Sequence, residues 1–233
     1  MLGPVCPSCA LNAKHFFSLD PPRWFCECGR RWVLPEDEER VKTLGPRPYG
    51  DNPLAAVARH QLLMAESHAV FPADRQYRYF LNRATGNPTR HGVTFLMLNP
   101  SVADETADDP TIRRCLGYAK AWGFGFLRVA NLFGLVSTDP SALLLAPDPV
   151  GSFNHDAIDL ATRYSTFTVL AWGAGVRALA QPREAQVLTQ LQGMGVDMRY
   201  LSLTKDGVPG HPLYLKKTAT PQPWVNRLVS GKN

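Results

Sequence analysis

The stretch GVTFLMLN, residues 92–99, is the clearest strand pattern in the chain, and it decides the class of fold. Its apolar side chains run almost continuously, which is typical of a strand that is buried on both faces of a sheet. The segment DPTIRRCLGYAKAWG follows, with Asp109 and Pro110 where a helix begins and Gly123 where it ends. A buried strand followed by a capped helix predicts an α/β protein.

Three more strand patterns follow in the sequence, and helical patterns separate them. The strands are FLRVANLF, FTVLAWG and MRYLSLT, and the helices between them are SFNHDAIDLATRYS and EAQVLTQLQGMG. Upstream, QYRYFLNRAT alternates well enough for an edge strand or a hairpin arm. We therefore expect residues 47–233 to form a three-layer α/β/α domain around a short, mainly parallel four-stranded sheet.

Residues 1–46 predict a separate module that is rich in cysteine. Cys6 and Cys9 are spaced C-x2-C, and Cys26 and Cys28 are spaced C-x-C. Zinc in a structural site takes four such ligands in a tetrahedron, and so small a segment needs a staple to fold. The pattern predicts a zinc ribbon with a structural, noncatalytic Zn²⁺; the alternative is a set of unligated buried thiols.

The charge of the chain permits a nucleic-acid partner without requiring one. Lysine and arginine number 25 against 20 aspartates and glutamates, for a net charge of +5. There is no apolar run of about 18 residues, and the start, MLGPVCPSCA, lacks the features of a signal peptide. We expect a cytoplasmic monomer with no membrane contact.

The loops that follow the four predicted strands contain the polar residues of most interest. Ligands bind at the carboxyl ends of strands in a parallel sheet, where such loops emerge together. Asn99 ends the first strand, Asn131 lies near the end of the second, and His211 belongs to the loop after the fourth. These loops are NPSVADETADDP, NLFGLVSTDP, AWGAGV and TKDGVPGHPLYL.

Taken in order, MLNPS, VANLF, LAWG and GHPLYL resemble the motifs of the uracil-DNA glycosylase superfamily. This resemblance covers residues 92–215. The ordered motifs MLNPS…NLF…AWG…HPLYL also resemble those of a family of bacterial and phage proteins catalogued as a domain of unknown function. This resemblance covers about residues 76–216. The first resemblance implies an activity, whereas the second identifies relatives only.

The glycosylase resemblance implies hydrolysis of the N-glycosidic bond of a flipped base, with no cofactor for catalysis. His211 would donate a hydrogen bond to the base as negative charge develops there, and Asn99 would orient the attacking water. A carboxylate would assist as general base, with Asp109 as the first choice and Asp104 or Asp108 as the alternatives. The expected catalytic residues are Asn99, His211 and Asp109.

The same resemblance implies a set of residues that bind the substrate. Asn131 would hold the pairing edge of the base and Phe133 would stack on it. Leu213 or Tyr214 would fill the gap left in the base stack. Pro100 and Ser101 complete the expected substrate-binding set.

Three positions depart from the uracil-specific pattern. Met97 replaces a glycine, Asn99 replaces the catalytic aspartate, and Leu213 replaces a serine. These departures imply a different or larger base, such as a modified pyrimidine of phage DNA that is excised in antiviral defence.

Other interpretations stay open. The chain is either a glycosylase, a nucleotide-level hydrolase or base-modifying enzyme of a phage DNA-modification system, or a catalytically inactive zinc-dependent DNA-binding protein. Each residue also has a structural role available: Asn99 as a turn residue, Asp109 as a helix cap, Asn131 as the end of a strand and Phe133 as a core aromatic.

Overall fold

The computed structural model describes residues 14–16, 23–25, 31–33, 67–72, 74–104, 107–163 and 165–225. The chain divides into two compact units, Met1–Asp51 and Asn52–Asn233. In the first unit β1 (Lys14–Phe16), β2 (Arg23–Phe25) and β3 (Arg31–Val33) form an antiparallel sheet in that order. Cys6, Cys9, Cys26 and Cys28 lie outside the described residues, so the zinc ribbon stays a prediction, as does the boundary between residues 46 and 47.

The second unit contains a seven-stranded mixed sheet. Its order is β10-β9-β8-β6-β7-β5-β4, and the four central strands from β9 to β7 run parallel. Leu96 at the centre of the sheet lies between Ala130 and Leu170 of the neighbouring strands. The strands are β4 (His68–Val70), β5 (Phe80–Ala84), β6 (Gly92–Met97), β7 (Phe126–Asn131), β8 (Phe167–Leu170), β9 (Met198–Tyr200) and β10 (Gln222–Pro223).

The predicted four-stranded, mainly parallel sheet is therefore wrong. The parallel core is present, but β4, β5 and β10 extend it through antiparallel pairings. Strand β5 pairs antiparallel with the preceding strand β4, as a hairpin arm does, and lies between β7 and β4, so it is not an edge strand. Two of its five residues, Asn82 and Arg83, are buried polar side chains that obscure the apolar pattern. Strands β4 and β10 have three and two residues, which is too short for any periodic signal.

Four α-helices belong to the described part of the second unit. Helix α1 begins after Asp109, whose carboxylate accepts a 2.8 Å hydrogen bond from the Ile112 amide. The predicted cap of this helix is confirmed, because a short acceptor side chain satisfies an otherwise unpaired donor of the first turn. The helices are α1 (Pro110–Ala121), α2 (Ala142–Leu145), α3 (Asn154–Arg163) and α4 (Arg177–Gly193), with a 3-10 turn over Pro212–Tyr214.

Helices pack on both faces of the sheet because successive side chains of its strands point to opposite sides. Leu96 and Leu170 belong to the core beneath α3 and α4, which includes Val187. Phe95 and Val169 belong to the core beneath α1. Each fully buried side chain of this size stabilises the fold by about 1.5–3 kcal/mol. The two cores hold the carboxyl ends of the parallel strands at one rigid edge.

None of the helices within the described ranges is long and apolar enough to cross a membrane.

Candidate functional site at the carboxyl edge of the sheet

A cavity of about 370 Å³ opens at the carboxyl ends of β6 and β8. Its volume is at the lower end of the range of small-molecule sites, about 300–1,000 Å³. The lining combines residues from five separate parts of the sequence, which the sheet brings to one edge. Polar and aromatic members of the lining include Arg78, Asn99, Ser101, Asp109, Thr111, Ser137, Thr138, Trp172, His211 and Tyr214.

Asn99 lies in the turn after β6 and ties two loops together. Its side-chain amide donates to the carbonyl oxygens of Pro100 (3.0 Å) and Ser137 (2.8 Å). Both donor hydrogens of the amide are therefore in use, while its Oδ1 has no hydrogen-bond partner among the described residues. The free acceptor on a half-buried, fixed side chain suits the positioning of a water molecule in the cavity.

Only one of the three candidate carboxylates lines the cavity. Asp109 lies there, held at the first turn of α1 by the Ile112 amide. Asp108 instead pairs with Arg83 at 2.7 Å. The Asp104 carboxylate accepts a 2.8 Å hydrogen bond from the Ala107 amide of the same loop. Asp109 is therefore the carboxylate that can reach a bound molecule.

His211 is held in the cavity wall by backbone contacts around its loop. The Gly173 amide donates to Pro209 at 2.9 Å, and the Gly210 amide donates to Ser202 at 2.8 Å. Gly173 has a φ of +73°, and a Cβ added there would lie 3.1 Å from Cβ of His211. The loop after β8 and the loop that carries His211 thus meet where a side chain has almost no room.

The environment of His211 favours a neutral imidazole. Burial lowers its pKa, and the negative charge of Asp109 opposes that effect only in part. Its Nδ1 is buried and has no hydrogen-bond partner among the residues that the structure describes. A neutral imidazole carries one N–H donor, which is what a hydrogen bond to a developing anion requires.

Asn131 and Phe133 do not line this cavity. Asn131 ends β7 and is 2% exposed, and its Oδ1 has no partner within the described ranges. Phe133 belongs to the core under α3 and α4. Pro100 is buried and also lies outside the lining. Their roles toward a substrate stay predictions.

Leu213 and Tyr214 form one rim of the cavity. Tyr214 is 83% exposed, and its ring centroid lies 5.6 Å from that of His211. Helix α1 fixes the following backbone, since Arg114 donates to the Leu215 carbonyl at 3.2 Å and the Tyr118 hydroxyl donates to Lys216 at 2.6 Å. The exposed ring of Tyr214 therefore belongs to a turn whose following backbone is held by hydrogen bonds from α1.

Arg78 is a cavity residue that the sequence patterns did not indicate. It is 2% exposed, and its Nη1 donates to the Ala103 carbonyl at 2.6 Å. Strand β5 runs antiparallel to β7, so the residues that precede β5 lie at the carboxyl edge of the parallel strands. In a parallel sheet, ligands are expected at the residues that follow a strand. That expectation does not include a residue that precedes an antiparallel strand, as Arg78 does. The sequence feature that could have indicated Arg78 is its position just before the apolar residues in QYRYFLNR.

The described part of the chain contains no group of three or more His, Cys, Asp or Glu side chains that could hold a metal ion.

A family model with the description "Protein of unknown function (DUF1643)" matches residues 78–213. That segment contains every residue lining the cavity except Tyr214. No curated protein and no solved structure matches the chain.

Proposed function

This chain belongs to the DUF1643 family, and since that description names no activity, we propose from the cavity itself that the protein is a monofunctional DNA glycosylase. It would flip out a modified or damaged base, hydrolyse the N-glycosidic bond and leave an abasic site. The observation that carries the proposal is the convergence of Asn99, Asp109 and His211 on one cavity at the carboxyl edge of the sheet.

In this reaction water adds to the anomeric carbon of the sugar while the base leaves with the bonding electrons. The sugar becomes oxocarbenium-like and negative charge builds on the base. His211 donates a hydrogen bond to the base, and the charge transferred to the base strengthens that bond in the transition state. A neutral imidazole is suited to this task, because its N–H group can donate a hydrogen bond while the ring carries no positive charge that would repel nearby cations.

Asn99 and Asp109 act on the other reactant, the water. The free Oδ1 of Asn99 accepts a hydrogen bond from the water and fixes its direction of attack. Asp109 accepts the proton that the water loses, and its charge stabilises the cationic sugar. Because Asp104 and Asp108 are engaged elsewhere, Asp109 carries this role in the proposal.

The rim and the size of the cavity bear on the substrate. Tyr214 is the exposed side chain that would enter the base stack when a nucleotide is extruded, with Leu213 beside it. Trp172 is a buried aromatic residue of the cavity wall. The ordered likeness to the uracil-DNA glycosylase motifs, with its departures at Met97, Asn99 and Leu213, favours a base that is different from or larger than uracil, such as a modified pyrimidine of phage DNA.

Antiviral defence in the cytoplasm is the biological role that fits such a substrate. The predicted zinc ribbon would then supply a second contact to DNA. Lysines and arginines exceed acidic residues in the chain, which favours association with a polyanion.

The test is base release from plain, uracil-containing and hypermodified phage DNA, measured by mass spectrometry and by alkaline cleavage of abasic sites. Asn99→Ala and His211→Ala should each lower the rate by on the order of 10²- to 10³-fold, as removal of a transition-state hydrogen bond does elsewhere. His91→Ala is the matched control, because His91 is exposed and lies before β6, at the opposite edge of the sheet.

Three outcomes would overturn the proposal. The first is no released base from any DNA. The second is hydrolysis of free nucleotides without attack on DNA, which would indicate a nucleotide-level hydrolase. The third is DNA binding that survives both cavity substitutions with no base release, which would indicate an inactive binding protein.

A further inference from the structure

Arg78 is a buried cation whose hydrogen-bonding capacity is only partly used. Its guanidinium has five N–H donors, yet only Nη1 has a partner among the described residues, the Ala103 carbonyl at 2.6 Å. The side chain is 2% exposed and lines the cavity. Because the side chain lines the cavity, a ligand bound there could use the remaining donors.

The charge of Arg78 is only partly compensated. Burial lowers its pKa to about 10 and the charge of Arg83 adds to this shift, while the charges of Asp109 and Asp104 oppose it. Arg83 pairs with Asp108 at 2.7 Å, whereas Arg78 has no ion pair within the described ranges. Burying an arginine without a counter-charge is costly, so the site favours a ligand that brings negative charge.

The surroundings of Arg78 supply further donors. Thr111 lies in the first turn of α1, where the backbone amides carry the positive end of the helix dipole. The Ser101 and Thr111 hydroxyls have no hydrogen-bond partner among the residues described. Asp109 is the one acidic side chain among the cavity-lining residues that the structure describes, and its Oδ1 is already held by the Ile112 amide.

We propose that Arg78, Ser101 and Thr111 form an oxyanion subsite of the cavity that takes a phosphate group of a nucleotide. A guanidinium fork matches two phosphate oxygens at once, and hydroxyl groups can donate to the third. The phosphate supplies a hydrogen-bonded counter-charge, which Arg78 lacks among the described residues although Asp109 and Asp104 are near enough to act on its charge. The inference goes beyond the proposed function, since it holds whether or not the cavity cleaves an N-glycosidic bond.

The subsite is tested with inorganic phosphate and the full chain. Isothermal titration should give a dissociation constant of about 1 mM for the unmodified protein. Arg78→Gln should weaken binding by at least about tenfold, and Arg78→Lys should weaken it less because the charge remains. Arg183→Gln is the matched control: Arg183 is similarly buried but bonds to Leu132 and Asn154 outside the cavity.

A second measurement keeps the test valid if Arg78→Gln fails to fold. Phosphate added to the unmodified protein should shift the amide NMR signals of Ser101 and Thr111 and leave that of His91, at the opposite edge of the sheet, unchanged. The proposal is wrong if phosphate moves none of the cavity signals, or if a folded Arg78→Gln binds phosphate as tightly as the unmodified protein.

Competition distinguishes the source of the phosphate. A deoxynucleoside 5′-monophosphate that competes where the matching deoxynucleoside does not supports a subsite for a terminal phosphate. A short oligodeoxynucleotide with unphosphorylated ends that competes supports one for a backbone phosphate. If the unmodified protein releases a base but binds no phosphate, the subsite alone is overturned. If it binds phosphate but releases no base, the glycosylase proposal alone is overturned.

Discussion

Gly173 is the position where a single added methyl group should damage the site more than the fold. Its φ of +73° lies in the left-handed region, where an alanine costs about 1–2 kcal/mol. The added Cβ would also lie 3.1 Å from Cβ of His211. Carbon atoms pack at about 3.5–4.0 Å, so the His211 backbone must retreat by about half an ångström.

Gly195→Ala is the control that separates these two effects. Gly195 has a φ of +69°, but a Cβ added there meets nothing within 4 Å. Gly195 lies between α4 and β9 and does not line the cavity. Both variants should therefore lose about 1–2 kcal/mol of unfolding free energy in urea, and only Gly173→Ala should disturb His211.

Two measurements report the effect on the site: the rate of base release and the NMR signals of His211. Base release by Gly173→Ala should fall by on the order of tenfold, since small misplacements of a catalytic group are costly. The imidazole NMR signals of His211 should shift in Gly173→Ala and stay in place in Gly195→Ala. Equal base-release rates and equal His211 signals in the two variants would refute the argument that Gly173 positions His211.

Three further predictions rest on the structure. Arg83→Met removes the 2.7 Å partner of Asp108 and should lower the unfolding free energy by about 3 kcal/mol in urea titrations. Burial is the main cause of the lowered pKa of both His155 and His211. Below about pH 6.5 the unfolded chain therefore binds more protons at these histidines than the native state does. The unfolding free energy should fall as the pH drops below that value, by up to about 1.4 kcal/mol per pH unit for each histidine. Tyr214→Ala removes an 83% exposed ring, so stability should change by less than about 0.5 kcal/mol while base release from duplex DNA slows.

Each of these predictions has its own control. Asp108→Asn keeps a polar group beside Arg83 and should cost less than Arg83→Met; the reverse order would contradict the view that Arg83 organises the loop. Replacing His155 and His211 by glutamine should flatten the pH dependence, and an unchanged slope would assign it to other groups. If Tyr214→Ala slows release equally from single-stranded DNA, the ring does not act on the base stack.

Local signals made much of the parallel core predictable. Strand β6 has an unbroken apolar run, and Asp109 with Pro110 marks the start of α1 by chemistry that involves only neighbouring residues. The strand patterns also place Asn99 and His211 after strands, which in a parallel sheet means at one edge. Their meeting in one cavity could therefore be anticipated from order alone.

The antiparallel part of the sheet gave weaker signals: QYRYFLNRAT indicated a strand that includes β5, whereas β4 and β10 are too short to show a pattern. Asn82 and Arg83 are buried in β5 because the folded chain pairs them, and a sequence pattern registers them only as polar residues in an apolar strand. Asp104, Asp108 and Asp109 are nearly equivalent in sequence. The position of Arg83 across the loop is what engages Asp108 and leaves Asp109 in the cavity.

By itself, the sequence determined the parallel strand–helix units, the cap of α1 and the residues at the ends of the strands, because these depend on short-range periodicity and on backbone chemistry. Only the tertiary structure decided that β5 runs antiparallel beside β7 and so brings Arg78 to the same edge, and that Phe133 enters the core while His211 faces the cavity. Those outcomes depend on which distant segments pair, and pairing is settled by the packing of the whole domain.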